Sequence, residues 1–201
     1  MSQLLLATRN GKKLTELRRI LGAAGVHGVR VIGLADVTEF PEAPETGATF
    51  EENALAKAQD AAKATGLPSV ADDSGLEVDA LNGMPGVLSA RWSGRHGDDD
   101  ANLELVLAQI GDVPDDRRGA AFVCAAALVV PHAEHLVVRA EWRGSLIRQR
   151  RGGNGFGYDP IFVPDGLTVT SAELEPADKD AHSHRGKALR KLVPHLCALA
   201  G

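Results

Sequence analysis

Leu4 to Ala7 is a short apolar run that breaks into Thr8, Arg9, Asn10 and Gly11, after which Leu14, Leu17, Ile20 and Leu21 recur along one helical face. The pattern predicts strand, polar turn and helix. Thr49 and Glu52 fit a capping box, so a second helix starts there, carries Ala54, Leu55, Ala58, Ala61 and Ala62, and ends before Gly66 and Pro68. Ser69 to Ala71 enters a strand expected to stop at Asp72, Asp73, Ser74 and Gly75. Beyond it, Leu76, Val78 and Ala80 alternate with Glu77 and Asp79, so an acidic turn is expected between two extended segments.

Leu103, Val106, Leu107 and Ile110 predict a third helix, capped by Asp98 or Asp99. Ala120 to Val130 and Leu136 to Trp142 read as a hairpin whose loop holds Pro131 to His135. Ile161 to Val163 is a short strand, and Lys187 to Leu199 a final helix interrupted or bent at Pro194. Strands alternate with helices early and a hairpin follows. The economical architecture is therefore α/β, a mixed twisted sheet flanked by helices in a single domain over 1–201, with its ligand where strand ends meet loops.

Composition narrows the function classes. A chain of 201 residues with 44% hydrophobic residues can bury a substantial core. Its longest apolar run, Ala120 to Val130, is well short of the ~20 residues of a membrane span. Met1 to Ala7 lacks the charged and long apolar regions of an export signal, so a cytoplasmic protein is expected. Cys124 and Cys197 read as small buried hydrophobes rather than a staple. A net charge of −5 argues against broad binding to nucleic acid, whereas a small phosphorylated ligand needs only a local basic pocket.

Asn10, Gly11, Lys12 and Lys13 lie between a strand and a helix start, where backbone N–H groups and the helix dipole favour an anion such as phosphate. A solvated turn is the plainer reading. It is not a Walker loop, because Lys12 is followed by Lys13 rather than Ser or Thr. Asp72 and Asp73 adjoin each other at a strand end, where two close carboxylates call for a proton or a cation. With Glu45 they would suit Mg²⁺ shared with phosphate oxygens, although Asp-Asp-Ser-Gly is also an ordinary surface turn. Phe156 to Asp159 follows a glycine-rich stretch and could stack on a flat ligand or plug the core. No zinc spacing and no nucleophile elbow is present, which leaves phosphate chemistry as the best-supported class.

Taken together, LATRNGKKLTEL at Leu6 to Leu17, ETGATFEENALAKA at Glu45 to Ala58, ADDSGLEVDAL at Ala71 to Leu81, GMPGVLSARWSG at Gly83 to Gly94, GNGFGYDPIF at Gly153 to Phe162 and AHSHRGKAL at Ala181 to Leu189 resemble the inosine triphosphate pyrophosphatase, or Ham1-like, family over nearly the whole chain. That resemblance implies an elongated two-lobed α/β fold with a central cleft and usually a homodimer. It also implies hydrolysis of the non-canonical purine nucleotides ITP, dITP and XTP to monophosphate and pyrophosphate. By the same resemblance Thr8, Arg9, Asn10, Gly11, Lys12 and Lys13 form the triphosphate loop and Lys57 is a second cation on the phosphates. Glu45 and Asp73 are Mg²⁺ ligands, Asp73 is also the proton acceptor, and Ser74 contacts substrate. Phe156, Gly157, Tyr158, Asp159, Lys179, His184 and Arg185 surround the base. The rival readings are a related pyrophosphatase for pyrimidine or modified nucleotides, and a module that binds nucleotide without hydrolysing it.

Overall fold

The computed structural model describes residues 2–41 and 44–199. β1 (Ser2–Leu6) carries Leu4, Leu5 and Leu6, all fully buried, because it lies inside a sheet with both faces covered. Its alternating side chains serve two cores. Leu4 and Leu6 meet α1 (Gly11–Ala23) through Leu17, Ile20 and Leu21, whereas Leu5 packs with Ile32 and with Ala61 of α2 (Phe50–Thr65). β2 (Val29–Gly33) runs parallel to β1. The sequence reading passed over β2, although Val29, Val31 and Ile32 have strand character.

β1 also pairs in parallel with β3 (Ser69–Val78). The remaining strands are β4 (Gly119–Val129), β5 (Leu136–Leu146) and β6 (Phe162–Pro164), in the sheet order β2-β1-β3-β4-β5-β6. The connection between β4 and β5 is too short for a parallel crossover, so the expected hairpin forms, and β6 pairs antiparallel with β5. The sheet is mixed and flanked by helices, as the pattern predicted.

Helix ends follow their caps. Asn10 accepts from Lys12 N at 2.9 Å, Thr49 accepts from Glu52 N, and Gly66 closes α2 in the left-handed conformation. Asp98 caps α3 (Asp99–Gln109). α4 (Pro176–His182) was not anticipated, and α5 (His184–Ala198) begins before Lys187. α5 is not interrupted at Pro194, because the buried face of Leu189, Leu192 and Leu196 holds the helix despite the missing N–H.

The chain clusters into two compact units, with boundaries inside β3, β4 and β5. The first comprises 1–73, 124–140 and 185–201, and its core joins β1 and α1 to Cys124, Ala126, Leu128 and α5. The second comprises 74–123 and 141–184, and its core joins Leu76, Val78, α3, Phe122, Trp142 and Phe162. Phe122, Phe162 and Trp142 meet edge-on or tilted within it. Cys124 is buried as expected, but Cys197 is exposed, because it lies off the apolar stripe of α5; neither forms a disulfide. Among the described residues no helix is long and apolar enough to cross a membrane.

Candidate active site

The acidic segment is not a turn. β3 continues unbroken from Ser69 through Asp72, Asp73 and Ser74 to Val78. Successive side chains of a strand point to opposite faces, so the two adjacent carboxylates are separated rather than crowded. Each finds cations on its own side, which is what allows the strand to carry them.

Asp72 is 4% exposed. Lys13 Nζ donates to its Oδ2 at 2.5 Å and Arg185 donates to its Oδ1 at 3.1 Å. Burial would raise the carboxyl's pKa, but Arg185 and Lys13 outweigh that and hold it well below the ordinary range. Arg185, 4% exposed, also pairs with Glu16 and donates to the Lys13 carbonyl oxygen. α1, β3 and α5 are thereby pinned around one ion cluster.

Asp73 is held differently. Asn53 Nδ2 donates to its Oδ2 at 2.9 Å and Lys57 Nζ donates to its Oδ1 at 3.2 Å. Lys57 simultaneously donates to Glu45 Oε1 at 2.7 Å. Burial pushes the Asp73 carboxyl up, the Glu45 charge adds to this, and Lys57 and Asn53 only partly offset them. Lys57 rises despite burial, because Asp73 and Glu45 both favour its protonated form. An ion pair would ordinarily lower its acid. Here one ammonium serves two carboxylates, so Asp73 remains under-compensated.

Thr8 to Asn10 forms the turn into α1, whose first residues are Gly11 to Lys13, with Thr8 Oγ1 accepting from Asn10 N at 3.2 Å. The Arg9 side chain is 72% exposed, and Arg9 lies 4.0 Å from Glu39. A cavity of about 460 Å³ opens between this turn and residues 33–40, lined by Thr8, Asn10, Gly11, Asp36 and Phe40 among others. Lys57 and Asp73 do not line it.

In the second unit Phe156 is 48% exposed, with Lys179 Nζ 5.5 Å from its ring centre. It does not plug the core. Tyr158 does, with its hydroxyl donating to Ser89 O at 2.8 Å. Asp159, 2% exposed, organises this loop by accepting from Phe156 N, Ser171 Oγ and Lys179 Nζ. Gly155, at φ +80°, leaves room for that carboxylate where a Cβ would collide with it. Gly157 N donates to Asp99 Oδ2 at 2.9 Å. His184 stacks on Phe122 with ring centres 4.9 Å apart. Ser74 follows Asp73 on β3 and is half-buried.

Within the first unit the fold thus gathers Lys13 with Asp72 and Arg185, and Lys57 with Glu45 and Asp73. Within the second it gathers Phe156, Asp159 and Lys179. Sequence reasoning missed Asn53 and Glu16. Asn53 had a signal, since it lies three residues after Phe50 and four before Lys57, a buried polar position on the apolar stripe of α2.

Among the described residues no group of three or more His, Cys, Asp or Glu side chains could hold a metal ion alone. The donor chemistry fits a shared ion instead. Glu45 and Asp73 are hard carboxylates that share the Lys57 ammonium, and Mg²⁺ is commonly held by one or two carboxylates plus substrate phosphate oxygens.

A sequence profile of the Ham1 family matches residues 4–195. The chain is 69% identical over 200 residues to the dITP/XTP pyrophosphatase of Nocardia farcinica, covering 100% of this chain and 97% of that protein. It is 64% identical over 200 residues to the Mycobacterium bovis protein of the same name, covering 100% and 98%. A crystal structure titled nucleoside-triphosphatase / dITP/XTP pyrophosphatase, from Mycobacterium abscessus, aligns with TM-score 0.78 at 63% identity over 96% of this chain and 99% of that one. A HAM1 protein structure from Coxiella burnetii aligns with TM-score 0.88 at 41% identity, covering 98% and 100%.

Proposed function

This chain belongs to the Ham1 family, and from that membership we infer that it is a nucleoside triphosphate pyrophosphatase hydrolysing the non-canonical purine nucleotides dITP, ITP and XTP to monophosphate and pyrophosphate. The supporting observation in the molecule is that Asp73 and Glu45 share the Lys57 ammonium while burial still leaves the Asp73 carboxyl raised.

In this reading Lys13 and Lys57 face the triphosphate, with the Thr8 to Lys13 turn supporting it at the start of α1. Glu45 and Asp73 would hold Mg²⁺, which would supply charge neutralisation at the reacting phosphates. Asp73 orients a water molecule and takes its proton. The water oxygen bonds to the α-phosphorus while the bridging P–O bond to the β-phosphorus breaks, its electron pair leaving with pyrophosphate. Hydrolysis in ¹⁸O-water puts the label in the monophosphate; label in pyrophosphate contradicts the assignment.

The exposed Phe156 ring and the Lys179 ammonium beside it are the proposed base contacts, with Lys179 or a backbone N–H donating to the 6-oxo group of hypoxanthine or xanthine. Adenine presents an amino group there, and two donors facing each other leave both unsatisfied. Arg185 acts in this reading through Asp72 and Lys13 rather than on the base. A panel of ITP, XTP, dTTP, UTP and ATP tests the substrate class: equal turnover of ATP and ITP removes the base assignment, and preference for pyrimidines favours the related pyrophosphatase. The proposal includes a cytoplasmic homodimer acting on free nucleotides, which sedimentation of the purified protein tests.

A further inference from the structure

Four hydrogen bonds close a ring around Asp73. Lys57 Nζ donates to Glu45 Oε1 at 2.7 Å and to Asp73 Oδ1 at 3.2 Å. Asn53 Nδ2 donates to Asp73 Oδ2 at 2.9 Å, and Asn53 Oδ1 accepts from Gly47 N at 2.8 Å. Gly47 stands two residues from Glu45, so the ring returns to the loop it started from. Asn53 is 3% exposed and uses both ends of its amide. Its polarity is fixed by its partners: only the NH₂ group can face a carboxylate, and only the oxygen can face an N–H. The loop approaches so closely that a Cβ on Gly47 would lie 2.6 Å from Asn53 Oδ1 and 2.8 Å from Glu52 Cβ.

We propose that Asn53 is a positioning residue that locks the Glu45 loop to Asp73, so that the two carboxylates are presented at a fixed separation before any ligand arrives. The geometry supplies the reason. Glu45 lies on a loop, whereas Asp73 lies on a central strand, and loop residues hold catalytic spacing only when tied to the scaffold. Lys57 alone cannot do this, because an ammonium on a flexible stem accepts many arrangements. Asn53 adds a planar, short, directional link from α2 to both. Aspartate at the same place would be isosteric, yet it would lose the donor and set a second carboxylate against Asp73. Gly47 completes the device, since its missing side chain admits the amide.

This inference rests on the assignment of Glu45 and Asp73 to the reaction, and one set of variants separates the two claims. Asn53→Ala, Gly47→Ala and the double variant are compared with Asp73→Asn for ITP turnover, for Mn²⁺ affinity by calorimetry with a non-hydrolysable ITP analogue, and for thermal midpoint. Loss of a partner that orients a ligand group typically lowers metal affinity or activity about 10- to 100-fold. Each single variant is expected to lower kcat by about that much with KM changed less than about threefold, and to weaken Mn²⁺ about tenfold or more. The double variant should be little worse than either single one, because both cut the same link. Gly47→Ala carries the test if Asn53→Ala does not fold. A folded Gly47→Ala or Asn53→Ala enzyme with kcat within about twofold of the parent and unchanged Mn²⁺ affinity overturns the proposal, as do fully additive effects. Undiminished turnover by Asp73→Asn overturns the active-site assignment instead.

Discussion

Asp72 and Asp73 are neighbours in one strand, yet they sit in opposite electrostatic situations. On one side Asp72 and Glu16 face Lys13 and Arg185, two negative charges against two positive. On the other, Asp73 and Glu45 share the ammonium of Lys57. Buried charges are tolerable only when compensated, so the first cluster is complete and serves to join α1, β3 and α5. The second leaves the Asp73 carboxyl raised, a deficit that an added cation can fill. A carboxylate's role here depends less on its position in the sequence than on whether its surroundings have already neutralised it.

The sharpest break of this contrast is Asp73→Asn. It keeps the shape while removing the base and a proposed metal ligand, and turnover should fall about a thousandfold with nucleotide affinity better preserved. Single-turnover kinetics with ITP measure it, and a loss under tenfold would move the chemistry elsewhere. Next comes Arg185→Met, which removes the Arg185 contacts to buried Asp72 and to Glu16. Breaking such a network costs about 3–5 kcal/mol, read from urea unfolding. If stability barely changes, the balanced cluster is not what holds these elements together.

Lys57→Met sharpens the comparison by widening the deficit. Asp73 then loses the ammonium it shares with Glu45, so the variant should be less stable without divalent metal and should regain about 2–3 kcal/mol in metal at about a hundredfold its Kd. At the same Mn²⁺ concentration Arg185→Met should be stabilised only as much as the parent, because its Glu45 and Asp73 site is unchanged. Thermal melts with and without Mn²⁺ separate the two cases.

Much of this contrast could be read from the chain, but not its cause. Thr49, Gly66 and Asp98 were legible because caps act locally, whereas Asn10 was read only as part of an anion-binding turn. Lys13, Lys57, Glu45 and Asp73 stood out by residue type and by resemblance. The acidic segment was misread as a turn because Asp, Ser and Gly favour turns locally, whereas Lys13, Lys57 and Arg185 come from distant parts of the sequence to neutralise a strand. Glu16 was invisible for the same reason, since its partner lies across the chain at Arg185. Asn53 was within reach, because a polar residue one turn from Lys57 on an alanine-rich face invites the question of what it bonds.

The smallest expected effect tests whether charge balance or burial gives the Asp72 cluster its strength. In the second unit Arg143 and Asp79 form a two-pronged pair, with contacts at 3.1 and 2.6 Å, as well balanced as any in the molecule. Their side chains, however, are about half exposed, at 48% and 51%. The Arg143 hydrogen bonds hold the Asp79 carboxyl below its ordinary range, but solvent screening discounts what that contributes. Arg143→Ala should therefore cost no more than about 1 kcal/mol near neutrality. Because the folded carboxyl titrates lower than the unfolded one, that contribution is present above the unfolded pKa of about 3.9 and fades as pH falls through the lowered folded value. Unfolding curves from pH 7 to pH 3 should show the deficit shrinking. A loss at pH 7 comparable to that of Arg185→Met would mean that paired geometry alone confers the strength, and burial would lose its place in the comparison.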